Sequence, residues 1–151
     1  MIEMPEHFVA LSGGIDSTSL ALLEPEATLV FTDTGWEFPE LYAHLDHIET
    51  VLERPILRLR NQKFPAGIPQ YIAHANFFPS FTARWCTVDF KVKVLHAYLQ
   101  AHLPAELFIG LRADEPDRVG NLTLIKGLKI RYPLRERGLN RADCVRLFAE
   151  H

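Results

Sequence analysis

The chain has 151 residues, 48% of them hydrophobic, and a net charge of −3. That suits one compact domain with a real core, and no apolar run is long enough to predict a membrane span. Two cysteines exclude a disulfide framework and residues 1–15 lack the pattern of a secretory leader, so a reducing, cytoplasmic setting is expected.

The apolar run Phe8-Val9-Ala10-Leu11 reads as a buried parallel strand over about 7–11. It feeds into Ser12-Gly13-Gly14, and a helix is expected from Asp16 to Glu24, stopping before Pro25. A strand, a tight glycine turn and a helix start aim backbone N–H groups at a phosphate. Residues 1–53 contain no Lys or Arg and 11 acids, whereas residues 54–151 hold all 16 bases and 8 acids. A polyphosphate at the glycine turn therefore needs amides, the helix dipole, a metal ion and cations folding over from the second half.

A second run, Ala27–Phe31, ends in Thr32-Asp33-Thr34-Gly35. The helix expected over 37–53 has Leu41, Leu45, Ile48 and Leu52 at helical spacing, with Pro39 in its first turn. Ile56–Leu59 is a third strand. This β-α-β-α-β order predicts an open parallel sheet, with ligands beyond the carboxyl ends of its strands. Residues 61–81, with three prolines and five aromatics, read either as a lid or as a short helix plus loop packing into the core. A helix is expected over 87–102, with Val88, Val92, Leu95 and Leu99 on one face. Leu107–Gly110 is a fourth strand, and 122–126 and 128–132 are strand pieces around Gly127. Asn140 caps a last helix with Ala142, Val145 and Phe148 inward. The expectation is a single α/β domain over 1–151: about five parallel strands with helices on both faces.

Ser12-Gly13-Gly14-Ile15-Asp16-Ser17 resembles the PP-loop of the ATP pyrophosphatases, or adenine nucleotide alpha hydrolases, and lacks the spacing of a Walker A or Rossmann turn. Further segments resemble the phosphoadenosine phosphosulfate (PAPS) reductase branch of that superfamily, most of all its compact phage-type members. These are Phe31-Thr32-Asp33-Thr34-Gly35-Trp36-Glu37-Phe38-Pro39-Glu40, Arg84-Trp85-Cys86-Thr87 with Lys91, Ile109-Gly110-Leu111-Arg112-Ala113-Asp114-Glu115, and Tyr132-Pro133-Leu134 with Ala142-Asp143-Cys144.

The resemblance implies a HUP-like fold and nucleotide contacts at Leu11, Ser12, Gly13, Gly14, Asp16, Ser17, Phe31, Asp33, Gly110 and Arg112. Asp16, Asp33 and Arg112 are the candidate catalytic residues, and Arg84 and Lys91 are further phosphate cations. Asp16 either helps hold Mg²⁺ or favours the helix N-terminus as a charge. Asp33 serves a ribose hydroxyl, a metal or a water, or merely forms the turn before Gly35. Trp36 stacks on a base or packs. Cys86 is a candidate thiol or a small packed residue; alone, it gives no ground to expect an iron–sulfur cluster. Cys144 is expected in the core. The histidines show no paired spacing for zinc.

PAPS reductases carry a redox cysteine in a C-terminal Cys-Gly-Leu-His-like motif, which this sequence does not show. The expected function is thus AMP-forming cleavage of Mg·ATP to adenylate an acceptor. The alternatives are sulfonucleotide reduction with an external thiol donor, and a nucleotide-binding module without turnover. Expected partners are an adenine nucleotide, an acceptor of unspecified kind, a thiol-donor protein for the reductase reading, and a second copy of the chain.

Overall fold

The computed structural model describes residues 4–119 and 125–151. Its sheet is built from β1 (Glu6–Ala10), β2 (Thr28–Thr32), β3 (Ile56–Leu59), β4 (Ala105–Phe108) and β5 (Leu128–Arg131). All four pairings are parallel and the strand order is β3-β2-β1-β4-β5. The helices are α1 (Ile15–Leu23), α2 (Pro39–Leu52), α3 (Ile68–Ala75), α4 (Trp85–Thr87), α5 (Lys93–Gln100), α6 (Pro133–Glu136) and α7 (Arg141–Ala149). No described helix is long and apolar enough to cross a membrane.

The apolar residues of the central strands are buried on both faces of the sheet, whereas β1 opens with the exposed Glu6 and His7, which the apolar run Phe8–Leu11 does not include. Successive side chains point to opposite faces, so Val9, Leu29, Phe31 and Phe108 join one core with Leu20, Leu45, Ile48, Leu134 and Cys144. Phe8, Val30 and Leu107 join another with Leu95 and Leu99. Helices α1, α2 and α7 cover the first face and α5 the second. The order reverses between β1 and β4, and the loops after these two strands, 11–15 and 109–115, meet there.

Two expectations change, and one left open is settled. The helix expected over 87–102 is interrupted by a π-helical turn, Val88–Val92, between α4 and α5. The wider turn shifts the phase: Phe90 is fully buried while Val88 is 45% exposed, and only Leu95 and Leu99 of the expected stripe are buried. In α7, the stripe Ala142, Val145 and Phe148 faces solvent, and Cys144 is the buried residue. The Asn140–Asp143 capping box sets the start of α7. The Ser19 hydroxyl donates to the Cys144 carbonyl at 3.1 Å, which seats that small residue against α1. Residues 61–81 hold a short helix, α3, plus loop: Phe64 and Tyr71 pack edge to face at 5.1 Å, whereas Phe77, Phe78 and Phe81 are exposed. Of the strand piece expected at 122–126, residues 122–124 lie outside the described ones, and 125–126 lead into the turn at Gly127.

Candidate functional site

The glycine loop is organised from within. Ser17 Oγ accepts the Ser12 amide at 3.1 Å, lies 3.1 Å from Ser12 Oγ, and donates to the Gly14 carbonyl at 3.1 Å. Gly13 has φ +82°, and a Cβ there would lie 2.6 Å from Leu41 Cδ1. Its left-handed backbone calls for glycine, and a side chain there would also displace the end of Leu41 on α2. Gly14 is the N-cap of α1 with φ −76°, and no side chain caps the helix. The first-turn amides of α1 are thus open to an anion. Leu11 and Phe31 are buried in the core, so only their backbones are available at the strand ends.

From β4, Gly110 comes so close to α1 that a Cβ would lie 3.1 Å from the Asp16 carbonyl carbon and the Ser17 nitrogen. This approach brings Arg112 onto the glycine loop. Its Nη1 donates to Asp16 Oδ2 at 2.5 Å, its Nε to Asp114 Oδ1 at 2.9 Å, and Nη2 lies 3.7 Å from Glu115 Oε2. The guanidinium is 12% exposed. The hydrogen bond to Asp114 first, then that to Asp16, holds its pKa above the ordinary value against burial. Three carboxylates surround one cation, and Asp16 Oδ1 is buried without a hydrogen-bond partner. Arg135 braces this loop by donating to the carbonyls of Glu115 (2.6 Å) and Arg118 (2.8 Å).

At the end of β2, Asp33 is 3% exposed. Its Oδ1 accepts the Gly35 amide (2.8 Å) and the Tyr42 hydroxyl (2.7 Å). Its Oδ2 accepts Arg60 through Nε (2.9 Å) and Nη2 (2.7 Å). Burial pushes the carboxyl up, but the Gly35 amide, Tyr42 and Arg60 outweigh it and hold the pKa below the usual value. The loop is also pinned to α3, whose Ile68 amide donates to the Thr34 carbonyl at 2.9 Å. Gly35 and Gly67 meet face to face there, and a Cβ on Gly67 would lie 2.2 Å from the Thr34 oxygen. With φ +85° at Gly67, Gly67→Ala is expected to cost about 2–3 kcal/mol, seen as a melting point lower by about 5–10 °C. Gly138 (φ +68°) has nothing within 4 Å of its would-be Cβ. Gly138→Ala should therefore cost only about 1 kcal/mol of backbone strain; equal effects of the two would mean the contact contributes nothing.

Of the other expected residues, Lys91 lies 3.6 Å from Glu37, which also accepts the Thr34 hydroxyl at 2.8 Å. Arg84 is exposed at the start of α4, and Cys86 is half-buried on it. Trp36 is 55% exposed beside the β2 loop. Cys144 is fully buried, and burial followed by the charge of Asp16 pushes its thiol pKa up. The switch point thus unites Ser12, Gly13, Gly14, Asp16, Ser17, Gly110 and Arg112, with Asp33 at the next strand end. Arg60, Tyr42, Gly67 and Arg135 were not foreseen. Arg60 directly follows β3, so the rule that ligands gather at the carboxyl ends of strands was the signal available for it.

The model of the phosphoadenosine phosphosulfate reductase domain matches residues 6–127. An uncharacterized protein of Methanocaldococcus jannaschii is 30% identical over an alignment of 114 residues that covers 71% of this chain and 23% of that protein. The chain thus spans about a quarter of that relative's length. The crystal structure of phosphoadenylyl-sulfate (PAPS) reductase from Candida auris, a phosphate complex, superposes with a TM-score of 0.74 over 99% of this chain and 74% of that one. At 13% identity that likeness is one of fold.

Proposed function

This chain belongs to the phosphoadenosine phosphosulfate reductase family, and we propose that it binds Mg·ATP and cleaves it between the α- and β-phosphates. An acceptor oxygen attacks the α-phosphorus, the bond to the bridging oxygen breaks, pyrophosphate leaves, and the acceptor carries AMP. The observation that supports this reading is the meeting of two loops at the switch point: α1 starts with no side-chain cap, and the Arg112 guanidinium is bonded to Asp16 in its first turn.

In this reading Ser12, Gly13, Gly14 and Ser17 bind phosphate oxygens through amides and hydroxyls, and Arg112 stabilises the charge that develops on them. Gly110 serves by its lack of a side chain, which lets Arg112 approach. The base lies along the backbones of Leu11 and Phe31. Asp33, whose oxygens are each doubly hydrogen-bonded, acts as a positioning residue that holds the Thr34–Trp36 turn. Lys91 and Arg84 are cations for the outer phosphates. The donor set fits magnesium: the buried, unpartnered Asp16 Oδ1 offers one hard oxygen. The described residues form no cluster of three or more acidic, His or Cys ligands, and magnesium commonly takes its other ligands from phosphate and water. When bound, the ion neutralises phosphate charge that Arg112, shared by three carboxylates, offsets only in part.

Sulfonucleotide reduction with an external thiol donor is the second reading, supported by the family itself and by the half-buried Cys86. Cys144, at 0% exposure, is unsuited to attack. Calorimetry with Mg·ATP, AMP and PAPS, followed by product analysis, separates the readings. AMP plus pyrophosphate supports the first, and sulfite from PAPS with reduced thioredoxin supports the second. Binding without product leaves a nucleotide-binding module.

Gly14→Val tests the loop itself. A Cβ there meets only Ser12 Oγ, at 3.4 Å, and the backbone is one that any residue adopts. The variant should melt within about 3 °C of the parent and lose at least about tenfold in nucleotide affinity, or 1.4 kcal/mol. Unchanged affinity would remove the loop from the phosphate site.

A further inference from the structure

Beyond Arg60, on the α5 side of the sheet, lies a second concavity. It is an open pocket of about 680 Å³ between the end of β3, the 60–64 turn and α5. Its walls are apolar, from Leu59, Phe90, Val94 and Tyr98, and its polar residues include Arg60, Lys63, Lys93 and Asp89. Neither the glycine loop nor the β4 loop contributes to it. The volume is that of a site for a small organic ligand.

The charges in it do not cancel. Arg60 is matched by Asp33, and Lys93 by Asp89 at 2.6 Å. Lys63 has no carboxylate partner among the described residues and sits over the Phe64 ring at 5.6 Å. One positive charge is left over. Donors are left over too. Arg60 uses Nε and Nη2 on Asp33 and Nη1 on the Pro65 carbonyl. A guanidinium carries five N–H groups, so two remain, and the side chain is 49% exposed. The rim is preformed: Asn61 Oδ1 accepts the amides of Lys63 and Phe64, and its Nδ2 donates to the Asp89 carbonyl.

We propose that this pocket is a second ligand site, for a small organic monoanion with an apolar or aromatic body. Its carboxylate or sulfonate group is held by Arg60, Lys63 and Lys93, and its body lies against Leu59, Val94 and Tyr98. Arg60 is shared between this site and the Asp33 turn, so the two sites touch through one side chain. The assignment stands whatever nucleotide the main cleft takes.

The probe is anilinonaphthalene sulfonate, titrated by fluorescence onto the intact protein, with uncharged N-phenylnaphthylamine as its neutral analogue. The anion is expected to bind at one site at least about tenfold tighter than the neutral analogue, and Lys93→Glu to weaken it by a similar factor. Ala97 is an exposed α5 residue lining the pocket. Ala97→Trp fills the pocket away from the glycine loop, so it should abolish probe binding and leave the melting point and Mg·ATP affinity unchanged. Equal binding of the charged and neutral probes would overturn the proposal, as would undiminished binding to a folded Ala97→Trp variant. So would a parent dimer that Ala97→Trp splits in sedimentation, because the pocket would then be covered by a second copy.

Discussion

Under the proposed reaction, replacing Arg112 by alanine is expected to lower kcat/KM for pyrophosphate release by about 10²–10³. It is the one cation that reaches the glycine loop among the described residues, and its hydrogen bond to Asp16 ties the β4 loop to the first turn of α1. The same change strands Asp16, Asp114 and Glu115, three carboxylates around a guanidinium that is 12% exposed. Removing one partner of a largely buried ion pair costs about 3–5 kcal/mol, partly relieved here because Asp114 is 44% exposed and solvated. Thermal melts will therefore fall together with activity, and the two effects must be separated. Arg112→Lys keeps the charge but loses the fork that serves Asp16 and Asp114 at once. It should recover most of the stability and little of the rate. A folded Arg112→Ala variant with kcat/KM within about threefold of the parent would remove Arg112 from the chemistry.

Asp33→Asn is the second large effect, and it acts on stability first. An asparagine turns an NH₂ group toward either Arg60 or the Gly35 and Tyr42 donors, leaving buried partners unmatched. The cost at pH 7 is about 3 kcal/mol, or about 6–12 °C in melting temperature. The pH dependence follows from the depressed pKa of Asp33. Its stabilisation is fully present above the unfolded-chain value of about 4 and is lost as pH falls through the lower folded value. The parent should lose stability below about pH 4, and Asp33→Asn should flatten that limb. Denaturant titrations at pH 7 and about pH 3 measure both. Arg60→Gln should cost less, about 1 kcal/mol, because half of Arg60 is in water. Identical acid limbs in parent and Asp33→Asn would show that the Arg60–Asp33–Tyr42 cluster contributes nothing to the folded state.

The strands and the switch point were legible because their signals are local. The runs at Phe8–Leu11 and Ala27–Phe31, each ending in small or turn-forming residues, mark buried parallel strands and the loops that follow them. Ser12–Ser17 and Gly110–Arg112 were legible for the same reason: loop, helix start and strand end are each continuous in sequence. Two helix faces were misjudged where apolar spacing is a weak guide. The π turn at Val88–Val92 inserts a phase change that no 3.6-residue pattern carries, and Phe90 takes the core position. In α7 the cap and the contact with Ser19 chose the face, against a short and weakly amphipathic stretch.

By itself the sequence determined the element order, the glycine turn between β1 and α1, and the charge problem an anion would meet at that turn, since residues 1–53 carry no base. How that problem is met was decided only by tertiary structure. Arg112 reaches Asp16 across 96 positions because Gly110 lets β4 and α1 approach. Asp33 proved to be a fully hydrogen-bonded anchor because Arg60, 27 positions away, directly follows the neighbouring strand. Pairings of this kind depend on strand order and on side chains meeting at distances of 2.5–2.9 Å, and neither is written in local spacing. The same holds for the pocket behind Arg60, whose lining is gathered from the end of β3, the 60–64 turn and α5.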